Sequence, residues 1–305
     1  MIKKEFIDYL SDKLNIKRKE LIEKDLILQL LLNEIESDNY FRNNFAFKGG
    51  TCLIKCYLGY YRFSEDIDFT WINQREFEKK SQKSIRRNIS EKVNKIIEIL
   101  QKAAGKLDLD FKPEKKNKKY FEFGGGNKFT TFKLWYNSSV LNVQSFIKIQ
   151  INFVELIMFP IIKCRVRSII TRPNIKEINF LFPEYVSLFS KKLIVNTYDI
   201  KEILVEKIRA VLTRRAIKAR DFIDVFLITA KQNIELKKLE KDILTKTRFM
   251  LRYQKYVKNL KEFQVEEFLI GEEEKFLLKP VGKGFNKFIM GFRVFINNLA
   301  EKATK

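Results

Sequence analysis

The chain of 305 residues contains no histidine. This absence excludes mechanisms that depend on a histidine base, a histidine metal ligand or a Ser-His-Asp triad. Acid, base and metal chemistry must therefore come from carboxylates, Lys, Tyr, Cys or the substrate. The three cysteines, Cys52, Cys56 and Cys164, form no zinc-binding pattern. We expect them to be buried thiols in a reducing compartment.

Long apolar runs are also lacking. The segments 26–32 and 153–162 are too short or too interrupted by polar residues to span a bilayer. The first residues, Met1-Ile2-Lys3-Lys4-Glu5, carry no apolar core of the length that a signal peptide needs. We therefore expect a cytoplasmic protein without a membrane partner.

Acidic residues are few relative to basic ones. Sixty Lys and Arg against 38 Asp and Glu give a net charge of +22. Such an excess favours a polyanionic partner, either nucleic acid or an anionic membrane surface. A lysine-rich solvated surface without a partner is the alternative.

Hydrophobic periodicity divides the chain into a mixed first part and a helical second part. We predict helices at 2–15, 17–38, 51–57 and 74–106, and strands at 45–47 and 67–71. Residues 107–185 are β-rich, and Gly124-Gly125-Gly126 fits a hairpin connection better than a phosphate-binding loop. Further helices are predicted at 199–215, 218–231, 234–262 and 284–302. The pattern indicates an α+β fold, with a mixed sheet and flanking helices in residues 1–190 and a helical lobe in 191–305.

The segment Gly49-Gly50-Thr51 joins a predicted strand directly to a predicted helix. Glycines let the backbone approach a phosphate closely, and a helix N-terminus points free N–H groups at it. Thr51 could cap this helix or bond a phosphate oxygen. Many strand-to-helix turns contain two glycines, so this segment alone is weak evidence.

Asp66 and Asp68 strengthen the case. In a strand, residues i and i+2 face the same side, so the two carboxylates project together while Ile67 and Phe69 enter the core. Neighbouring carboxylates repel each other unless a cation lies between them, and oxygen ligands of this kind suit Mg²⁺. Polymerase-type nucleotidyl transfer uses such a pair.

Two blocks of sequence resemble the AbiEii/MenT nucleotidyltransferases, a branch of the polymerase-β-like superfamily. The first is FAFKGGTCLIKCYLGYYRFSEDIDF at 45–69, with the Lys-Gly-Gly-Thr and Arg-x-Ser-Glu-Asp-x-Asp-Phe elements of that family. The second is EILVEKIRAVLTRRAIKARDFIDVFLI at 202–228, with a Glu-Lys-x-x-Ala helix followed by Arg-Asp-x-x-Asp. Together they cover about one sixth of the chain, and their joint order is more specific than either block alone.

The resemblance implies a role for each matching residue. Asp66 and Asp68 would hold Mg²⁺ or Mn²⁺, and Lys207 and Asp221 would complete the catalytic set from the helical lobe. The implied nucleotide-binding residues are Lys48, Gly49, Gly50, Thr51, Arg62 and Ser64. A structural ion pair between Lys207 and Asp221 is the alternative to their catalytic role.

One departure concerns the third carboxylate that many polymerase-β-like enzymes place on a nearby strand. The candidate strand, 146–152, carries Gln150 and Asn152 at its alternating positions, and Glu155 follows just beyond it. The proton acceptor for an attacking hydroxyl is therefore Asp68, Glu155, or substrate and water.

The implied function is transfer of a nucleoside monophosphate from an NTP onto an acceptor hydroxyl, in a toxin that is neutralised by a cognate antitoxin. The acceptor in some members is the 3′ end of tRNA, and the charge of +22 fits an RNA acceptor. The alternatives are nucleotidylation or phosphorylation of a protein, and a catalytically silent RNA-binding protein with the same fold.

Overall fold

The structure is a computed structural model that describes residues 2–171, 175–190, 192–215, 218–263, 277–282 and 284–304. Within these residues the chain forms a seven-stranded sheet and twelve α-helices. The strands are β1 Phe45–Lys48, β2 Asp66–Trp71, β3 Phe121–Gly124, β4 Phe129–Asn137, β5 Gln144–Asn152, β6 Ile161–Arg165 and β7 Ile194–Tyr198.

The helices fall before, between and after these strands. They are α1 Lys4–Leu14, α2 Lys19–Ser37, α3 Asn39–Asn44, α4 Gly49–Cys52, α5 Gln82–Leu107, α6 Ile175–Leu181, α7 Pro183–Ser190, α8 Ile200–Thr213, α9 Ala219–Gln232, α10 Glu240–Leu251, α11 Gln254–Lys261 and α12 Phe285–Thr304. A π-helix at Leu53–Leu58 continues α4 without a break. None of the described helices is both long and apolar enough to cross a membrane.

The sheet is mixed, with strand order β3-β4-β5-β2-β1-β7-β6. β2 runs parallel to β5 and antiparallel to β1. One face is apolar and fully buried, as shown by Ile67, Phe69 and Ile149 at 0% exposure. The opposite face of the same strands carries half-exposed polar side chains. The predicted α+β class is confirmed.

The predicted helices and strands differ from the structure in a few places. The helix predicted from residue 74 begins at Gln82, where the Ser81 hydroxyl accepts a hydrogen bond from Ser84 N and caps it. The helix predicted at 234–262 consists of α10 and α11, separated by a turn. The β-rich interpretation of 107–185 is wrong for α6 and α7, and β7 is a strand that the periodicity did not reveal. The hairpin at Gly124–Gly126 is confirmed, because it joins antiparallel β3 and β4.

The chain divides into two compact units. The first comprises Met1–Glu155 and Ile161–Tyr198, and the second Leu156–Pro160 and Asp199–Lys305. The boundary before the helical second unit lies after Tyr198, and residues 191–198 belong with the sheet, because β7 pairs with β1 and β6. The segment 156–160 joins the second unit because Met158 N and Phe159 N donate to the Glu202 carboxylate at 2.8 and 2.7 Å.

The cysteines are free thiols. Cys52 and Cys56 are buried, as expected. Cys164 differs from the expectation, since its position on β6 leaves it half-buried.

Candidate active site

The two carboxylates of β2 lie on its polar face. Asp66 and Asp68 are half-exposed, while Ile67 and Phe69 between and beyond them are fully buried. On the neighbouring strand β5, Lys148 is in register with Asp66 and Gln150 with Asp68. The predicted alternation along β2 is confirmed, and it presents both carboxylates to the same side.

Gly49 lies directly against Asp68. Its φ of +75° is a backbone conformation that L side chains rarely adopt. A Cβ at this position would lie 2.1 Å from Asp68 Oδ2, a distance that no side chain can occupy. Gly49 is therefore required both by its backbone conformation and by the carboxylate that fills the space of its missing side chain.

Gly50 lies against Arg62 and Ser64. A Cβ on Gly50 would be 2.8 Å from Arg62 Nη2 and 2.9 Å from Ser64 Oγ. Arg62 is only 2% exposed, and its Nη1 donates to Phe63 O at 2.8 Å. The fold thus brings the turn after β1 together with the residues that lead into β2.

Thr51 has an internal role. Helix α4 begins at Gly49, so Thr51 lies inside the helix and does not cap it. Its buried hydroxyl donates a hydrogen bond to the carbonyl of Asp66. Thr51 therefore fixes α4 to the start of β2.

Lys48 is likewise held inside the sheet. Its Nζ lies 2.7 Å from Glu155 Oε2, and Lys48 is 4% exposed. The same carboxylate oxygen accepts hydrogen bonds from the hydroxyls of Thr70 and Tyr198 at 3.0 and 2.9 Å. Glu155 is thus a partner of internal donors, which counts against its serving as the proton acceptor at the site.

The position next to Asp68 on β5 is an amide. Gln150 Nε2 lies 3.5 Å from Thr131 Oγ1 on β4. Across the described ranges of the chain, no three Asp, Glu, Cys or His side chains converge as a preformed metal site. Asp66 and Asp68 are therefore considered as a candidate pair of metal ligands rather than as part of a larger acidic cluster.

That pair fits a divalent cation on two observations. Asp66 and Asp68 supply carboxylate oxygens from one face of one strand. Gly49 and Gly50, which follow β1, are called the glycine turn below. The missing side chain of Gly49 leaves the backbone of this turn close to Asp68, so a phosphate bound at the turn would lie near the carboxylates. Hard oxygen donors beside phosphate oxygens are the environment that Mg²⁺ takes in proteins.

The second unit holds a separate ionic cluster on α8 and α9. Lys207 Nζ lies 2.8 Å from Asp221 Oδ1 and 2.6 Å from Asp224 Oδ2. Arg214, at the end of α8, forms an ion pair with the other oxygen of Asp221. Both carboxylates are buried, with side-chain exposures of 2% for Asp221 and 0% for Asp224.

Asp221 remains an ionised carboxylate in this cluster. Burial acts to raise its pKa, but the positive charges of Lys207 and Arg214 outweigh burial, and the pKa is lowered from its ordinary value of 3.8. Sequence reasoning did not include Asp224 among the candidates. The Arg-Asp-x-x-Asp pattern at 220–224 contained the signal, since residues i and i+3 share one helix face.

The chain belongs to the family described as "Nucleotidyl transferase AbiEii toxin, Type IV TA system", whose model matches residues 30–295. It is thus a member of a nucleotidyltransferase family, and the matched region includes both clusters. No curated protein is significantly similar to this chain.

Two crystal structures from Helicobacter pylori are similar to the chain. JHP933 is 14% identical with a TM-score of 0.38, over 92% of this chain and 97% of that one. A candidate nucleotidyltransferase is 15% identical with a TM-score of 0.41, over 93% of this chain and 96% of that one. These TM-scores are too low to bear on the site.

Proposed function

We propose that the protein transfers a nucleoside monophosphate from an NTP to the 3′-terminal hydroxyl of a tRNA or a related RNA. The observation that carries the proposal is the contact between the glycine turn and the carboxylate pair. Gly49 leaves no room for a side chain beside Asp68, and Asp66 shares the exposed face of β2. Backbone N–H groups and carboxylates within one small area suit a nucleoside triphosphate and its cation.

The reaction forms one bond and breaks one. The RNA 3′ oxygen bonds to the α-phosphorus of the NTP, the bond from that phosphorus to the bridging oxygen breaks, and pyrophosphate leaves. The hydroxyl proton passes to Asp68 or to solvent. In-line displacement of this kind depends mainly on positioning and on stabilisation of charge.

The candidate site residues of the first unit divide the work of this reaction. Gly49, Gly50 and Ser64 face the phosphates, and Arg62 adds positive charge beside Gly50. Asp66 and Asp68 hold Mg²⁺ or Mn²⁺, which when bound neutralises charge on the reacting phosphates. The nucleotide-binding role expected for Lys48 and Thr51 becomes a positioning role, because both have internal partners.

In the second unit we assign Lys207 to stabilising phosphate charge, with Asp221 and Asp224 orienting its ammonium. Two carboxylates hold one ammonium at 2.8 and 2.6 Å, so its position is fixed.

The biological setting follows from the family and the charge. A net charge of +22 suits an RNA acceptor better than a small molecule. Membership in a toxin–antitoxin family supports a cognate antitoxin as a partner. Both substrates, NTP and tRNA, are found in the cytoplasm, where we expect the protein to act.

The test is a labelling experiment with total tRNA, a divalent cation and each α-labelled NTP in turn. Wild type, Asp66→Asn and Asp68→Asn are compared with Asp108→Asn, an exposed residue in the left-handed conformation after α5 that Asn also adopts. We expect label in RNA with wild type and Asp108→Asn, and none with the other two. Omission of the divalent cation should abolish the label.

Three results would contradict the proposal. Label in a protein band rather than in RNA would indicate protein nucleotidylation. RNA binding without label from any NTP would indicate a silent RNA-binding protein of this fold. Unchanged labelling by Asp66→Asn would remove the carboxylate pair from the mechanism.

A further inference from the structure

The polar face of the sheet extends from the carboxylate pair across β5 and β4. Asp66 is in register with Lys148, which is in register with Lys133 on β4. Two residues before Lys148 on the same face, Phe146 is in register with Trp135. An aromatic pair therefore lies next to a lysine pair, one strand away from the carboxylates.

The two aromatic rings contact each other and are not enclosed in the core. Their centroids lie 4.6 Å apart with planes at 52°, and both side chains are half-buried. The indole of Trp135 is held in place, since its Nε1 donates to Lys119 O at 2.9 Å. Rings that are fixed and still partly exposed can accept a stacked base without an ordering cost.

Three lysines surround the ring of Phe146. The ammonium groups of Lys148, Lys133 and Lys24 lie 5.5, 5.8 and 6.0 Å from its centroid. Lys24 pairs with Glu65 at 2.7 Å, and Lys133 pairs with Glu122. Among the residues that the structure describes, Lys148 forms no ion pair and is half-exposed.

We propose that Phe146 and Lys148 form the subsite for the single-stranded 3′ end of the RNA acceptor, with Trp135 supporting the ring. A base of the acceptor stacks on Phe146, and Lys148 contacts the adjoining phosphate. Aromatic side chains with neighbouring cations are the usual means of holding single-stranded nucleic acid. The assignment rests on the proposed function and adds the place where the acceptor binds.

The position of this subsite favours the acceptor over the donor nucleotide. β2 lies between β1 and β5 in the sheet. The glycine turn, proposed to hold the triphosphate, approaches Asp68 from the β1 side, and Phe146 and Lys148 lie on the β5 side. In-line transfer needs the attacking and leaving oxygens on opposite sides of the phosphorus.

The spacing is also suitable. Adjacent strands lie about 4.8 Å apart and residues rise by about 3.3 Å, so the backbones of Asp66 and Phe146 are roughly 8 Å apart. A sugar attached to a base on Phe146 therefore remains close to the carboxylate pair.

The test measures binding of a fluorescent single-stranded RNA by anisotropy, without NTP, so that binding is separated from catalysis. Phe146→Leu removes the aromatic face but retains apolar bulk, and Lys148→Gln removes one cation. We expect Phe146→Leu to weaken binding by about fivefold or more, at the lower end of the contribution of one stacked base. Lys148→Gln should reduce the slope of log affinity against log salt by about 0.7, as for one lost phosphate contact.

The matched controls lie elsewhere in the same sheet. Phe123→Leu changes an exposed aromatic on β3, and Lys163→Gln changes an exposed lysine on β6. Both should bind RNA as the wild type does. RNA with abasic 3′-terminal nucleotides should bind wild type more weakly and should be insensitive to Phe146→Leu.

Three outcomes would overturn the subsite. The first is that both variants bind RNA as tightly as the wild type does, and the second is that the wild type binds abasic and intact RNA equally well. The third is that Phe146→Leu weakens binding of a fluorescent NTP but not of RNA, which would assign the ring to the donor base. Failure of the proposed function gives a result different from failure of the subsite. In that case no RNA is labelled by wild type, and the two variants still weaken RNA binding.

Discussion

The ammonium of Lys48 on β1 lies 2.7 Å from the carboxylate of Glu155, which follows β5 in the chain. The same carboxylate oxygen accepts hydrogen bonds from Thr70 on β2, Asn152 on β5 and Tyr198 on β7. One buried carboxylate therefore ties together four strands of the sheet, next to the strand that carries Asp66 and Asp68.

Replacing Glu155 with Gln should destabilise the protein without changing the chemistry. The substitution removes the negative charge that lies 2.7 Å from the buried Lys48 ammonium, so we expect the free energy of unfolding to fall by about 3–5 kcal/mol. The double variant Glu155→Gln, Lys48→Met should lose less than the two single variants together. Urea denaturation of the wild type, the single variants and the double variant measures these free energies of unfolding. A changed pH profile of transfer in folded Glu155→Gln protein would contradict this view and make Glu155 a base.

Gly49→Ala should abolish transfer. The new methyl group would overlap Asp68 Oδ2, and the φ of +75° would become strained, so the carboxylate must move. Gly105→Ala is the control, because a Cβ there meets nothing within 4 Å and alanine favours the interior of helix α5. We expect wild-type transfer and an equal or higher melting temperature for Gly105→Ala. Retained transfer in Gly49→Ala would show that the close approach to Asp68 is dispensable.

Lys207→Met should lower stability most at neutral pH. Without the ammonium, the buried Asp221 and Asp224 carboxylates lose a neighbouring positive charge. We expect this loss to lower the free energy of unfolding by about 3–5 kcal/mol. Removal of the cation also raises the pKa of Asp221 toward and above its ordinary value, so the folded variant takes up a proton as the pH falls. The deficit relative to wild type should therefore shrink between pH 7 and pH 5 in chemical denaturation. Lys201→Met, an exposed position on the same helix, should show no deficit.

Glu36→Gln should make the protein more stable at alkaline pH. Glu36 is 1% exposed, and neither of its carboxylate oxygens has a hydrogen-bond partner among the described residues. Burial raises its pKa from 4.5 to about 8. The folded state therefore holds an extra proton between these values, and stability falls as the pH rises through this window. The variant should lack that decline when the free energy of unfolding is measured by denaturation at several pH values. An equal slope of this free energy against pH in both proteins, between pH 5 and pH 8, would contradict the assignment.

The central features of the fold were predictable because they depend on local patterns. The i, i+2 spacing of Asp66 and Asp68 determines that both lie on one face, whatever the rest of the sheet does. By contrast, β7 was not predicted, because its five residues are recognisable as a strand only through their pairing with β1 and β6. Short segments such as α6 depend on tertiary packing more than on periodicity.

The candidate site residues could be named from the sequence, but the contacts of their side chains could not. The sequence indicated Lys48 and Thr51 by their place in the Lys-Gly-Gly-Thr element, yet nothing local indicates that their polar groups turn inward. Their partners, Glu155 and the Asp66 carbonyl, are 107 and 15 residues away. The same holds for Phe146 and Trp135, whose proximity depends on the register of β4 against β5.

The segment 156–160 limits how these units could be exchanged between relatives. Its backbone amides are partners of Glu202, although the chain on both sides of it belongs to the sheet unit. A single crossover after Tyr198 would thus supply α8 with a foreign linker. The buried Glu202 carboxylate, which also pairs with Lys246, would keep its two amide donors only where that linker follows the same backbone path. Chimeras of this family should therefore inherit residues 156–160 together with the helical half, and recombination during evolution faces the same constraint.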